Sequence, residues 1–458
     1  MSYKTLVLLG TTTILGIFAV VIKSLVVPMM LGVDEFGYWQ VFLLYTSFLY
    51  ISYFGYNDGL ILKYAGHEKI DKEVIFSSAS IMVSFSTLFV FLIYFIGDVE
   101  LPVGFFIISP LMALLAFLST YLNNKGNSRA YRNYIIVDKL CFLSLLFMAY
   151  LFFEIDSEVL IAIEVLSKFI LLLILTSYCN KFEVFSFFKV TSLSFSEYLN
   201  DISIGSKIML SGTMSILILN VGRFYVEASN TVEYFSNYSF SLSINNIAIL
   251  AVSIFSVGIF PVLKRKFINK EVFLYELIND LVSLANLLII PFYMFVVYFL
   301  IGYYEDFTLL SKFIFITISF IPFYVRNSLL YFSFVKILRL ESGVLKITGI
   351  VFLISNIVYF FLIDSKVFDL FPILTLVFLF CYSFILGAYI SKQLKIKFKF
   401  GFLSDIGVVF VVFVNHASHG SNVVITVSLL YVLIFFGLYL YRLNKSIARL
   451  GLGKLSLR

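Results

Sequence analysis

The feature that most limits how this chain can fold is a series of fourteen apolar stretches, each about as long as a membrane-crossing helix. A helix needs about 20 apolar residues to cross the ~30 Å hydrocarbon core of a bilayer. Hydrophobic residues make up 61% of the 458 residues and charged residues 13%, whereas soluble domains average about 45–50% and about 25%. The sequence therefore predicts an all-α polytopic membrane protein. The expected spans lie near residues 5–30, 38–62, 74–97, 103–122, 134–153, 159–178, 206–229, 234–262, 276–302, 308–332, 344–363, 370–390, 402–415 and 422–441.

The positions of lysine and arginine orient these spans. If the N-terminus is cytoplasmic, 26 of the 33 basic residues fall in inner loops and termini, and one, Lys366, falls in an outer loop. Cytoplasmic loops carry the excess of Lys and Arg in membrane proteins. The pattern therefore predicts a multi-pass chain with both termini in the cytoplasm. The net charge of +6 is dispersed over short loops and does not indicate nucleic-acid binding.

The spans divide into two sets of six and a final pair. We expect an N-terminal six-helix bundle over residues 1–178, a cytoplasmic linker over 179–205, a C-terminal six-helix bundle over 206–390, and two further helices with a basic tail over 391–458. The aromatic and basic linker is either an interfacial amphipathic segment or an ordinary connection. GTTTIL in the first span and GTMSIL in the seventh are similar, which is typical of a transporter built from two repeats.

Catalytic motifs are missing from the sequence, which has neither a P-loop nor an HExxH pattern. Cys141, Cys179 and Cys381 are scattered, with no spacing typical of a metal site or a disulfide. His416 and His419, in NHASHG, are interpreted as part of a polar outer loop rather than as metal ligands. We therefore expect a transporter and not an enzyme, with no metal and no cofactor.

Charges inside the spans are the candidate functional residues, since one charge at the bilayer centre costs roughly 3 kcal/mol on insertion scales. Lys23 lies deep in the first span, and Arg223 lies deep in the seventh, within LNVGRFYVEAS. They occupy matching places in the two halves. Lysine binds phosphate as a point charge and arginine binds it through a planar fork. The two cations therefore predict an anionic substrate that carries phosphate or pyrophosphate.

Other charges add to this set. Glu164 and Lys168 are four residues apart on the sixth span, as are Arg223 and Glu227 on the seventh, so each pair shares a helix face. For Glu164 and Lys168, a structural ion pair and a transport role both stay open. Snorkelling to the interface is expected for charges nearer the span ends, which are Asp138, Lys139, Asp280, Lys312 and Arg326. The candidate substrate-binding residues are Lys23, Asn57, Asp58, Lys168, Arg223 and Arg326, and the coupling-ion candidates are Asp58, Glu164, Glu227 and Asp280.

Several stretches resemble one family of membrane transporters. The second span begins EFGYWQ and contains FGYNDG near its end, and the seventh contains NVGRFYVE. Residues 238–265, YSFSLSINNIAILAVSIFSVGIFPVLKR, end in a Phe-Pro. Together these resemble the flippases of bacterial O-antigen and capsule repeat units, which belong to the multidrug/oligosaccharidyl-lipid/polysaccharide exporter superfamily. The chain departs from the family pattern at Gly222, where an Asp often precedes the arginine.

The resemblance implies a fold of two pseudo-symmetric six-helix bundles arranged as a V, plus two C-terminal helices. It implies that the substrate is an oligosaccharide on undecaprenyl pyrophosphate, which alternating access moves from the cytoplasmic to the periplasmic leaflet of the bacterial inner membrane. The polymerase and the chain-length regulator of the same pathway would be partners. Arg223 matches the seventh-helix arginine of the family, and Asn57 and Asp58 match the second-helix motif.

Three other functions compete with this interpretation. A polysaccharide polymerase or ligase would need a large periplasmic loop, whereas the outer loops here are short. A drug or metabolite exporter of the same fold would favour an acidic cavity, whereas the deepest charges are basic. A scaffold or channel subunit has no pore-lining repeat to support it. Coupling to protons or Na⁺, and uniport driven by the membrane potential, stay open as energy sources.

The topology can be tested with single cysteines in intact cells. A cysteine at Gly97 should react with a membrane-impermeant thiol reagent from the periplasm, and one at Lys266 should react only after the membrane is permeabilised. The positive-inside distribution of charge is the physical reason. Labelling in the reverse pattern would overturn the orientation.

Overall fold

The computed structural model describes residues 3–64, 72–97, 102–124, 128–179, 187, 189–229, 231–247, 249, 271–338, 340–363, 369–396, 401–418 and 421–449. Lys366, His419, the end of the predicted eighth span and the basic loop at 264–270 lie outside the described residues. The chain divides into two compact units, Met1–Thr213 and Met214–Arg458.

The described residues of the first unit form seven helices and the start of an eighth. The second span is broken into two α-helices around a short 3-10 turn at Leu49–Tyr53. The helices are α1 (Tyr3–Leu31), α2 (Val33–Thr46), α3 (Tyr56–Tyr64), α4 (Lys72–Gly97), α5 (Val103–Asn124), α6 (Ser128–Phe152), α7 (Ser157–Thr176) and α8 (Ser192–Ser229).

The second unit begins at Met214, within α8. A π-turn at Val296–Leu300 follows α11, and a second π-turn at Arg326–Tyr331 separates α13 from α14. The helices are α9 (residues 232–247), α10 (Glu271–Leu287), α11 (Ile289–Phe295), α12 (Leu310–Ile318), α13 (Ile321–Val325), α14 (Phe332–Leu338), α15 (Glu341–Leu362), α16 (Leu370–Gln393), α17 (Gly401–Ala417) and α18 (Asn422–Arg449).

The predicted spans coincide with these helices. Each of the fourteen apolar stretches overlaps a helix in the described part of the chain. Eight helical stretches of the described residues are long and apolar enough to cross a membrane, and two of them, Val272–Tyr303 and Leu310–Val335, run through the π-turns. Gly401–Ala417 is a shorter apolar helix at the predicted thirteenth span. The described residues form no strand. The prediction of an all-α polytopic membrane protein is confirmed.

The boundary between the units lies inside α8. This helix begins at Ser192, within the predicted linker, and continues without interruption through the predicted seventh span to Ser229. Residues 192–205 of the predicted linker are therefore helical. The predicted domain limits at 178, 205 and 390 stay predictions, because the units divide the chain only once, between Thr213 and Met214.

Aromatic packing forms part of the core of the first unit. The Phe76 ring meets the edges of Phe117 and Tyr121, with centroids 5.1 Å and 4.9 Å away. The hydroxyl of Tyr56, at the start of α3, hydrogen bonds to Ser78 on α4 at 2.7 Å. These contacts hold α3, α4 and α5 together and satisfy the buried phenol, whose desolvation would otherwise be costly.

Three glycines let α3 and α8 meet at the level of their backbones. Gly55 has a φ of +84°, and a Cβ there would lie 2.6 Å from the backbone nitrogen of Ser206. A Cβ at Gly59 would overlap the carbonyl oxygen of Asp201, and a Cβ at Gly205 would overlap backbone atoms of Gly55 and Gly59. Small residues are what permit so close an approach of two helices. We call Gly55, Gly59 and Gly205 the glycine clasp.

An ion-paired cluster reinforces the glycine clasp. Lys63, near the end of α3, pairs with Glu197 and lies 3.3 Å from a carboxylate oxygen of Asp201. Burial raises the pKa of Asp201 to about 6, although Lys63 opposes the rise. Glu197 and Asp201 precede residue 206, where the predicted seventh span begins. The first turns of α8 are thus fixed to α3 ahead of its apolar part.

Replacing Gly205 with alanine should destabilise the first unit. The added Cβ meets backbone atoms, which cannot rotate away, and overpacking of this kind costs about 1–3 kcal/mol or more. We expect a lower melting temperature and a lower yield of monodisperse protein in detergent. Gly212→Ala is the matched control on the same helix, because a Cβ there meets nothing within 4 Å. Equal melting temperatures for the two variants would contradict the clasp.

Candidate functional site

The side chain of Lys23 contacts residues on three other helices of the first unit. Its ammonium, on α1, pairs with the carboxylate of Glu164 on α7. The same nitrogen lies 4.3 Å from the ring centroid of Phe142 and 5.3 Å from that of Trp39. Aromatic faces attract cations most strongly where water is excluded. Lys23, a candidate substrate-binding residue in the sequence analysis, is thus held within the span by a carboxylate and two rings.

Local capping sets the start of α7, which carries Glu164. The side chain of Asp156 accepts a hydrogen bond from the backbone nitrogen of Val159 at 2.7 Å, as an N-cap does. Glu35, on α2, accepts another from the backbone nitrogen of Ser157 at 2.8 Å. Both carboxylates meet free amides at the positive end of the helix. They fix α7 at its start, two turns before Glu164.

Lys168 and Asp138 form a second ion pair between α7 and α6. Lys139 also reaches Asp138, with 3.0 Å between nitrogen and oxygen. A structural ion pair between Glu164 and Lys168 was one of the two possibilities left open, and the described contacts do not show it. Although the two share a face of α7, each binds a partner on a different helix.

Together these five residues form a group that we call the lysine cluster: Lys23, Asp138, Lys139, Glu164 and Lys168. Three lysines against two carboxylates leave one surplus positive charge. Asp138, Lys139 and Lys168 are all within electrostatic range of Lys23. A partly desolvated site with a surplus cation attracts anions more strongly than the same charges would in water.

Asn57 and Asp58 lie at the start of α3, where the second span is broken. Asp58 is in the first turn of the helix, a position in which a carboxylate is stabilised by the helix dipole. The side-chain oxygen of Asn57 is buried and has no hydrogen-bond partner among the described residues. The structure therefore brings Asn57 and Asp58 to the glycine clasp, at the start of the same helix.

Arg223 lies in the second unit, on the last part of α8. Its Nε donates to the hydroxyl of Ser239 at 3.0 Å, and its guanidinium lies 5.4 Å from the ring centroid of Phe235. Both partners are on α9. Glu227 follows one turn later on α8, on the same face, as the spacing predicted. Arg223 is thus directed towards α9 by a hydroxyl and an aromatic ring.

Gly222, where the flippases that the sequence resembles often have an aspartate, has no room for a side chain. A Cβ at this position would overlap the hydroxyl oxygen of Thr375 and would lie 3.1 Å from that of Tyr359. Those two hydroxyls are hydrogen bonded to each other at 2.6 Å. An aspartate does not fit here, because α8 lies against this hydroxyl pair. The pair occupies the space that an acidic side chain before Arg223 would need.

Arg326 is the most completely bonded cation in the described part of the chain. It starts the π-turn after α13, and its guanidinium pairs with Asp405 on α17. It also donates to Asn279 at 2.6 Å, to Ser283 at 3.0 Å and to the carbonyl oxygen of Gly401 at 2.8 Å. The side chain is 1% exposed. The expectation that Arg326 snorkels to the interface is therefore wrong.

Asp405 is a residue that the sequence interpretation missed. Its carboxylate accepts a further hydrogen bond from the amide of Asn286 at 2.7 Å and is fully buried. An aspartate in the apolar run FLSDIGVV was the available signal. This ion pair joins α17 to α10 and to the π-turn.

The remaining candidates are Asp280, Lys312 and His416. The Asp280 carboxylate adjoins the partners of Arg326, since it accepts a hydrogen bond from Asn279 at 3.5 Å. Asp280, a coupling-ion candidate, is buried on α10, and Arg442 of α18 approaches it at 3.9 Å. Lys312 pairs with Asp369 at 2.7 Å, and about half of each side chain is exposed. The His416 ring stacks on Phe315 with centroids 3.8 Å apart.

Comparison with known proteins identifies a solved structure with a similar fold. No protein-family model and no curated protein matches the sequence. A solved structure titled lipid II flippase MurJ, inward closed conformation, matches 98% of this chain and 100% of its own with a TM-score of 0.62. The chain has the fold of MurJ. Sequence identity is 15%, so the likeness shows the fold alone.

The buried pair of Arg326 and Asp405 should be needed for stability. Asp405→Ala leaves an uncompensated buried arginine, which typically costs about 3–5 kcal/mol. We expect a large drop in melting temperature, and recovery of most of it in the apolar double variant Arg326→Met with Asp405→Leu. Asp369→Ala is the control, since an exposed pair contributes about 0–1 kcal/mol. A double variant as unstable as the single one would contradict this assignment.

Proposed function

We propose that the chain flips an oligosaccharide linked to undecaprenyl pyrophosphate from the cytoplasmic to the periplasmic leaflet of the bacterial inner membrane. The product would serve O-antigen or capsule synthesis, and the movement would occur by alternating access. One observation carries the proposal: nearly the whole chain shares its fold with a protein named a lipid II flippase. The resemblance of EFGYWQ, FGYNDG and NVGRFYVE to repeat-unit flippases supports the narrower substrate.

The proposed substrate contacts are the cations that the described structure leaves partly accessible. Lys23 and Lys168 belong to the lysine cluster, which has a surplus positive charge that suits a pyrophosphate. Arg223 supplies a guanidinium in the second unit. Asn57 and Asp58 are proposed contacts for the head group near the glycine clasp. We assign Arg326 to anchoring rather than to the substrate, because four groups already accept from its guanidinium.

The proposed coupling-ion residues are Asp58, Glu164, Glu227 and Asp280. Among them, Glu164 is buried within the lysine cluster, next to a proposed substrate contact. Proton or Na⁺ coupling through these carboxylates, or uniport driven by the membrane potential, would supply the energy. The pathway's polymerase and chain-length regulator are the proposed protein partners.

A second candidate is a lipid II flippase for peptidoglycan synthesis. The observation that favours it is the name of the solved structure with this fold. Both candidates translocate a lipid-linked precursor, so they differ in the sugar head group. The described residues of the lysine cluster suit an anionic head group in either case.

Complementation separates the two candidates. We expect the chain to restore surface polysaccharide in a strain that lacks its repeat-unit flippase, and not to restore growth when the lipid II flippase is depleted. The reverse result would establish the second candidate, and failure in both strains would reject a flippase function.

Loss of one side chain that binds the substrate phosphate should impair transport severely, because charged hydrogen bonds are roughly twice as strong as neutral ones.

Within that assay, Arg223→Ala should abolish surface polysaccharide at normal protein levels, and Arg223→Lys should restore part of it. Lys312→Gln, which removes an exposed cation, is the matched control and should retain activity. Immunoblots of membranes check the protein levels. Full activity of Arg223→Ala would remove Arg223 from the proposed site.

A further inference from the structure

The two members of the Lys23–Glu164 pair differ in exposure. The lysine side chain is 29% exposed, whereas the glutamate side chain is 5% exposed. Part of the lysine side chain is therefore reachable from outside the bundle, whereas the carboxylate is almost completely enclosed. This contrasts with Arg326 and Asp405, which are 1% and 0% exposed and which an incoming ligand does not reach.

An unsatisfied donor lies beside this pair. The indole nitrogen of Trp39 is buried and has no hydrogen-bond acceptor in the part of the chain that the structure describes. The Trp39 ring centroid is 5.3 Å from the ammonium of Lys23. A buried N–H without an acceptor is costly. An anion bound at Lys23 would bring acceptor oxygens close to this donor.

We propose that Glu164 pairs with Lys23 in the place that the phosphate of the substrate takes when it binds. It holds Lys23 while the site is empty, yields that lysine to the incoming phosphate, and takes up one proton as the ion pair breaks. The inference rests on the proposed function, since it assigns a role within the same site. It makes Glu164 a positioning residue whose charge changes with substrate binding.

The exchange balances in charge and in bonds. One O–H bond forms, at the Glu164 carboxyl, and one bond to hydrogen breaks, in the hydronium ion or buffer acid that gives up the proton. The salt link of Lys23 passes from a carboxylate oxygen to a phosphate oxygen, and both are acceptors for an ammonium donor. A buried carboxylate that loses its cation and gains an anionic neighbour favours the protonated form. One positive charge thus enters the site along with the anion.

The surrounding charges single out Glu164 for this role. Asp138 keeps two lysine partners, so the loss of one leaves it paired. Glu35 accepts from the backbone at the start of α7, away from Lys23. Helix α5, which also packs against α7, has no Asp, Glu, Lys, Arg or His in its sequence. The charged groups with described side chains on the helices around Glu164 are Lys23 on α1, Asp34 and Glu35 on α2, Asp138 and Lys139 on α6, and Glu158 and Lys168 on α7 itself.

Calorimetry of the purified full-length chain in detergent tests the exchange. Undecaprenyl pyrophosphate is titrated near pH 7 in two buffers of different ionisation enthalpy, which gives the number of protons taken up on binding. We expect the wild type to take up about one proton more than Glu164→Gln does. Glu197→Gln, which removes a carboxylate from the lysine pair beside the glycine clasp, is the matched control and should behave like the wild type. Lys23→Gln should weaken binding by about tenfold or more.

The outcomes separate this inference from the proposed function. If undecaprenyl pyrophosphate binds no more tightly than undecaprenol, the proposed substrate class fails. If it binds, but the wild type and Glu164→Gln take up equal numbers of protons, the exchange fails and the substrate class stands. Binding unaffected by Lys23→Gln would also overturn the exchange.

A second measurement needs no variant. Infrared difference spectra of the wild type should show a new protonated-carboxyl band when the lipid is added. If Glu164→Gln does not fold, this spectrum decides alone, and the lack of that band would overturn the exchange.

Discussion

The structure depends on one constraint: a charge taken out of water must find a counter-charge or a set of hydrogen-bond partners. Arg326 meets it through Asp405, Lys23 through Glu164 and Lys168 through Asp138. Each of these pairs joins different helices. Each of these three pairs therefore helps to fix how one helix is rotated and placed against another.

Exposure distinguishes the two kinds of buried charge. The guanidinium of Arg326 is enclosed and bonded on several sides, so its pair with Asp405 acts as scaffold for α17 and the π-turn. The ammonium of Lys23 has a carboxylate on one side and two aromatic rings, yet keeps 29% of its side chain exposed. An accessible cation over a buried carboxylate is an arrangement that a ligand can rearrange. This difference is why the proposed site includes the lysine cluster and leaves Arg326 out.

Glycines set the other half of the architecture by letting helices approach closely. The glycine clasp brings the backbone of α3 against that of α8, and Gly222 brings the far part of α8 against Thr375. Packing of this kind replaces the hydrophobic driving force that helices lack inside lipid. The same helix thus carries a close contact in each unit, and Arg223 follows directly after the second.

The sequence by itself determined that the protein is an all-α membrane protein and where its apolar helices lie. The length of an apolar run is a local property, and so is its match to the thickness of a bilayer. The sequence also located the charges within the apolar spans, including Lys23, Glu164, Lys168 and Arg223. Only the tertiary structure decided their partners: Glu164 meets Lys23, 141 residues away, rather than Lys168 on its own helix, and Arg326 meets Asp405, 79 residues away. Such pairs depend on the rotation and depth of whole helices, which packing sets and which no local stretch of sequence encodes.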